Sequence, residues 1–121
     1  MQNSLHGTKI LLVEDDFLIQ MDLTMTFENA GAEVVTAGTV SDGLARAHEN
    51  YDAAVLDISL PDGEVYPLAD VLAAKETPLV FHSGNTEGAN ISARFPTAIA
   101  LSKPVHERQL IAAVSRQQSR A

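Results

Sequence analysis

The sequence predicts a doubly wound α/β domain: a parallel five-stranded sheet with helices on both faces. Two observations carry this. Short apolar runs without polar alternation, such as Ile10–Val13 (ILLV), have the pattern of strands buried on both faces. Stretches with helical spacing lie between such runs, and the alternation repeats five times, the order of a sheet built from βα units. A length of 121 residues fits one domain of this kind.

Each element has its own justification. After Ile10–Val13, residues from about Asp16 to Ala30 have Ile19, Leu23, Phe27 and Ala30 at helical spacing, which predicts a core-facing side. Gly31 supplies a C-terminal stop. Glu33–Ala37 (EVVTA) reads as the second strand. Thr39 with Asp42 three residues on resembles a capping box, opening a helix whose apolar side carries Val40, Leu44 and Ala47. Asp52–Leu56 (DAAVL) is a buried strand that runs into Asp57. The loop SLPDG follows, then a helix from about Pro67, a residue suited to a first helical turn, to Ala74. Pro78–His82 (PLVFH) is the fourth strand. Residues 86–94 offer only a short helix, because Gly88 interrupts them. Thr97–Leu101 (TAIAL) is the fifth strand. Val105–Arg116 is an amphipathic last helix with Leu110, Ala113 and Val114 inward.

Composition excludes several classes of function. With no cysteines, disulfide frameworks, thiol catalysis and Cys-ligated zinc are ruled out. No apolar run approaches the length of a membrane span, and MQNSLHGTK lacks the pattern of a signal peptide. The net charge of -8 argues against nucleic acid as a partner. The charge is unevenly spread. Residues 1–40 hold six acids and one base, whereas residues 101–121 hold one acid and four bases.

In an open α/β sheet, ligands bind beyond the C-terminal ends of the strands. The first strand ends at Glu14, Asp15 and Asp16, and the third at Asp57. The fourth ends at Ser83 and Gly84, and the fifth at Lys103 and Pro104. Clustered carboxylates repel unless a cation neutralises them, and an oxygen-rich, imidazole-poor set suits a hard ion such as Mg²⁺. Helix capping alone would explain Glu14–Asp16. It does not explain an acid at Asp57. Asp16, at the helix start, reads as a cap. A lysine aimed into such a pocket would pair with a carboxylate when the site is empty and with a phosphoryl oxygen when it is loaded. Ser83 is a hydrogen-bond donor to the same anion. The four histidines are dispersed, with none at a metal-ligand spacing. His82 reads as a packed residue, and His106 follows Lys103–Pro104 at the start of the last helix.

These strand-end signatures, in this order, resemble the response regulator receiver family of two-component signalling. The motifs are LLVEDD, LDISLPDG, FHSG and LSKP. The resemblance spans residues 8–117 and leaves 1–7 and 118–121 as flexible ends. It implies the flavodoxin-like strand order 2-1-3-4-5. It also implies that Asp57 is the phosphoacceptor, with Lys103 and Ser83 completing the catalytic set. Mg²⁺, or Mn²⁺, would be held by Glu14, Asp15, Asp57 and the backbone carbonyl of Ser59. The Lys103–Pro104 bond is expected to be cis. The partner implied is a sensor histidine kinase or a histidine phosphotransfer protein, in a bacterial cytoplasm. A homodimer is compatible with the resemblance. Such a chain is a self-catalysing phosphoacceptor and not a conventional enzyme.

The sequence departs from the family at Ala100, where members usually carry Tyr or Phe three residues before the lysine. The usual aromatic switch therefore has no side chain to act through. Phe81 and Phe95 are the substitutes at hand. Activation by local ordering of residues 84–95, with Gly84 at its start, is the expectation in its place. The first helix has a second apolar side, Leu18, Met21 and Met25, which reads as a docking patch for the phosphodonor. Two alternatives stay open beside a stand-alone receiver. One is a pseudo-receiver that binds partners without being phosphorylated, and the other is a fragment of a larger regulator. An aspartate-nucleophile phosphatase would carry a DxD run, whereas Asp57 is followed by Ile58 and Ser59.

Overall fold

A computed structural model describes residues 4–84 and 88–118. The strands are β1 (Lys9–Val13), β2 (Glu33–Ala37), β3 (Ala53–Asp57), β4 (Ser59–Leu60), β5 (Gly63–Glu64), β6 (Leu79–Ser83) and β7 (Ile99–Ser102). The helices are α1 (Phe17–Asn29), α2 (Val40–Arg46), α3 (Tyr66–Ala74), α4 (Gly88–Arg94) and α5 (Glu107–Gln118). Five strands form one parallel sheet in the order β2-β1-β3-β6-β7. With the short hairpin β4-β5 set aside, this is the expected order 2-1-3-4-5. The SLPDG segment, expected as a loop, forms most of that antiparallel hairpin, with Ser59 opposite Glu64 and Leu60 opposite Gly63.

The two central strands explain why the sheet is covered on both sides. Ile10, Leu11, Leu12 and Val13 are all fully buried, as are Ala53 to Leu56. Alternate residues enter opposite cores. Ile10 and Leu12 pack with Leu23, Phe27, Leu110 and Val114 beneath α1 and α5. Leu11 and Val13 pack with Val40, Leu68, Leu72 and Phe81 beneath α2 and α3. Leu5, ahead of the expected domain start at residue 8, is also buried and its N–H donates to the Ala30 carbonyl at 2.8 Å.

The helix ends follow local chemistry. Asp16 caps α1, its carboxylate accepting from the N–H groups of Leu18 (3.0 Å) and Ile19 (3.1 Å). At the other end Gly31 has φ +101°, and a Cβ there would stand 2.9 Å from the His6 backbone, so only glycine fits. The Thr39 hydroxyl accepts from Asp42 N–H at 3.0 Å, as the capping-box pattern requires.

Two side chains depart from the helical-spacing expectation. Ile19 is 38% exposed, because the α1 face it occupies borders a groove toward α5 instead of the sheet. Leu44 is 40% exposed, since α2 is only seven residues long and turns its Val40 and Gly43 inward. The last helix holds Leu110, Ala113 and Val114 inward as expected and adds Gln117, whose amide donates to the carbonyls of Leu79 (2.8 Å) and Thr97 (3.1 Å).

Candidate functional site

The C-terminal ends of β1, β3 and β7 bring the predicted charged residues together. Glu14 follows β1 directly and is 1% exposed. Its Oε2 accepts from Asp16 N–H at 3.0 Å, and its backbone carbonyl accepts from the Gln20 amide at 2.9 Å, so α1 holds the turn in place. Asp57 closes β3 and is 6% exposed, whereas Asp15 is exposed to solvent. One oxygen from each of Glu14, Asp15 and Asp57 lies within 4.8 Å of the others. This is a set of oxygen donors that could hold a cation.

Lys103 enters from beyond β7. Its Nζ donates to Asp57 Oδ2 at 3.1 Å and stands 3.5 Å from Glu14 Oε1. The Lys103–Pro104 bond is cis. Burial by itself lowers the ammonium's pKa, but the hydrogen bond and charge of Asp57, followed by the charge of Glu14, outweigh it and leave the pKa raised. Glu14 shows the opposite balance. Burial pushes its carboxyl up to about 7, the Asp57 charge adds to this, and the Asp16 N–H and Lys103 offset only part of it. One ammonium shared between two buried carboxylates leaves the pocket short of positive charge.

The remaining predicted residues fall around this core. Ser59 is exposed and opens the β4-β5 hairpin two residues beyond Asp57. That hairpin is anchored by Asp62, whose two oxygens accept from Val40 N–H (2.8 Å) and Ser41 N–H (3.0 Å) at the start of α2. Ser83 ends β6 in register with Ser102, and its side chain lies outside the described residues, as do residues 85–87 of the expected ordering segment. Gly84 and Pro104 are exposed at the rim.

Ala100 is exposed on β7, in register with Phe81. Neither substitute aromatic is free to swing. Phe81 is fully buried, Phe95 is 6% exposed, and their rings pack with centroids 5.4 Å apart. Tyr66 stacks on Phe95 at 6.4 Å, and the Arg94 guanidinium lies 5.0 Å from the Tyr66 centroid while pairing with Asp70. On α1, Leu18 (69%), Met21 (47%) and Met25 (57%) are exposed together with Phe17.

The family described as the response regulator receiver domain matches residues 10–115. The chain belongs to the response regulator receiver family. Similar solved structures agree. The receiver protein from Sinorhizobium medicae is 26% identical with a TM-score of 0.87, over 96% of this chain and 98% of that one. The CheY-like receiver domain protein from Methanospirillum hungatei is 27% identical with a TM-score of 0.81, over 94% and 98%. Among curated proteins, the phyllosphere-induced regulator PhyR of Methylorubrum extorquens is 30% identical over 114 residues, covering 90% of this receiver and 43% of PhyR. The receiver spans less than half the length of the curated relatives it matches. Among its described residues no helix is long and apolar enough to cross a membrane.

Three site-supporting residues are not evident in the sequence. Gln20 lies in no motif, and Asp62 lies in LDISLPDG without any sign of its role; each is recognisable only once the backbone it binds is in place. His82 is 2% exposed and in register with Asp57, with its Nε2 4.0 Å from Glu14 Oε1. Its position at the end of an apolar run gave no sign of that neighbour. His82 also floors a cavity of about 480 Å³ between α1 and α5, walled by Ile19, Leu23 and Val105 with Lys103 at its edge.

Proposed function

We propose that this receiver accepts a phosphoryl group from a phosphohistidine onto Asp57. The observation that carries the reading is the placement of Lys103 Nζ, 3.1 Å from Asp57 and 3.5 Å from Glu14, inside an acidic strand-end pocket. An Asp57 oxygen attacks phosphorus, the P–N bond to the donor imidazole breaks, and that imidazole leaves with the electron pair. The product is an acyl phosphate on Asp57, and water attacking it at phosphorus ends the signal.

The donor set fits a hard divalent cation. It is all oxygen, and one of its atoms, Glu14 Oε1, is buried without a hydrogen bond. Mg²⁺, or Mn²⁺, would be held by Asp15, Asp57 and the Ser59 carbonyl, with Glu14 acting through water. It would supply the positive charge that lets two anions approach. Lys103 leaves its pairing with Asp57 to take a phosphoryl oxygen, and Ser83 donates to another. The partner is a helical histidine donor, a sensor kinase or a histidine phosphotransfer protein, which lies against Leu18, Met21 and Met25. Flexible methionines suit such a surface.

Incubation with a small-molecule acyl phosphate and Mg²⁺ should add about 80 Da, one phosphoryl group. The adduct should be absent in Asp57→Ala and absent with a chelator. A wild type that gains no mass, or an Asp57→Ala protein that does, contradicts the reading. Met21→Glu should slow transfer from the cognate donor while leaving the small-molecule reaction unchanged.

A further inference from the structure

One buried polar group has no part in that reaction scheme. His82 Nε2 and Glu14 Oε1 face each other 4.0 Å apart, both in the interior, and neither has a hydrogen-bond partner among the described residues. Buried donors and acceptors are nearly always paired, because leaving one unpaired costs the lost hydration outright. Two unpaired atoms this close are a hydrogen bond that about 1 Å of movement would close.

The surroundings favour closure. The His82 imidazole lies in the interior with Lys103 lining the same cavity, and a neutral imidazole carries a single N–H. Among the described residues Lys103 is the only cation that pairs with Glu14, and Lys103 is shared with Asp57. In the proposed reaction Lys103 is drawn to the phosphoryl group. Among the described residues Glu14 Oε1 then retains one neighbouring donor, the imidazole held by β6 in register with Asp57.

We propose that His82 is a positioning residue whose Nε2–H closes on Glu14 Oε1 and holds that carboxylate oriented toward a divalent cation in the pocket. This rests on the reading of the pocket as a cation site. Carboxylates around metals are commonly fixed by such outer partners, whose loss weakens metal binding roughly 10–100-fold. Neither Asp15 nor Asp57 depends on this contact, so the cation site is weakened and not destroyed without it.

The test uses the full chain labelled with ¹⁵N-histidine, read by long-range ¹H–¹⁵N correlation during titration with MgCl₂. His82 should be the Nε2–H tautomer, and its Nε2 signal should move as Mg²⁺ binds. His82→Leu should weaken Mg²⁺ binding about tenfold. His82→Gln, whose amide offers an N–H at similar reach, should restore most of it. An Nδ1–H tautomer that ignores Mg²⁺, or a folded Leu variant that binds Mg²⁺ as tightly as wild type, overturns the inference and leaves the phosphoacceptor reading intact. A wild type that binds no Mg²⁺ overturns the cation reading and this inference together. If the Leu variant fails to fold, the wild-type tautomer and its Mg²⁺ response decide.

Discussion

The inner and outer walls of the pocket hold the same chemistry in opposite surroundings. Glu14 and Asp15 are adjacent carboxylates, yet Glu14 is 1% exposed while Asp15 is open to solvent. The inner wall, Glu14, Asp57 and His82, stands at the C-terminal ends of β1, β3 and β6, strands packed on both faces. The outer wall, Asp15, Asp16 and Ser59, stands on the turn after β1 and the first residue of the β4-β5 hairpin. The difference separates two tasks. Solvated acids can bind and release a cation cheaply, whereas buried ones store unfavourable charge that a cation relieves.

The largest test of this division removes the inner wall's own cation. Lys103→Met should slow phosphorylation by about a hundredfold or more, the range seen when one oriented donor is lost from a reacting oxyanion. Asp15→Asn should instead act on Mg²⁺ affinity, lowering it by at least the roughly tenfold that an outer partner is worth. Transfer rates measured at saturating and limiting Mg²⁺ separate the two. Equal behaviour of the two variants would erase the distinction between the walls.

A smaller effect is the pH dependence of the cation-free protein. Folded Glu14 titrates near 7 against an ordinary 4.5, so its contribution is fully present below 4.5 and is lost as pH rises through about 7. Folded His82 titrates near 4 against 6.5, so its contribution is present above 6.5 and is lost as pH falls through about 4. The two oppose between 4.5 and 6.5. Thermal melting in chelator should show little change from this pair in that window and a decline above it. Mg²⁺ affinity should fall by about tenfold per pH unit below about 7, as protons compete for Glu14. His82→Leu should expose the Glu14 decline across the whole range from 4.5 to 7.

The smallest expected effect lies on the outer wall. Asp16 accepts from two N–H groups of α1, so Asp16→Ala should cost about 1 kcal/mol of stability in denaturant unfolding. Mg²⁺ affinity should not change. A loss of affinity would move Asp16 from the helix into the cation site.

The strand ends were readable because a strand buried on both faces writes a continuous apolar run, and the first polar residue after it marks the sheet edge. Glu14, Asp57, Ser83 and Lys103 each follow or end such a run. Helix faces were less readable. Spacing put Ile19 and Leu44 inward, but α1 opens on a groove and α2 is short, and periodicity cannot say how far a helix lies from its sheet. The possible replacements for the missing aromatic at Ala100 were also beyond it. Whether Phe81 and Phe95 can move depends on the ring stack with Tyr66, which joins β6, α3 and the residue after α4.

By itself the sequence determined the βα order, the strand-end acids and lysine, and the cap at Asp16, because these follow from local periodicity and from residues within a few positions of each other. Tertiary structure alone decided that Glu14 is buried while Asp15 is not, and that Asp62 anchors the hairpin to α2. It also decided that His82 stands 4.0 Å from Glu14. The reason is register. Residues 14 and 82 meet only because β1, β3 and β6 pair in parallel at fixed offsets, and no local pattern in the chain encodes the distance between them.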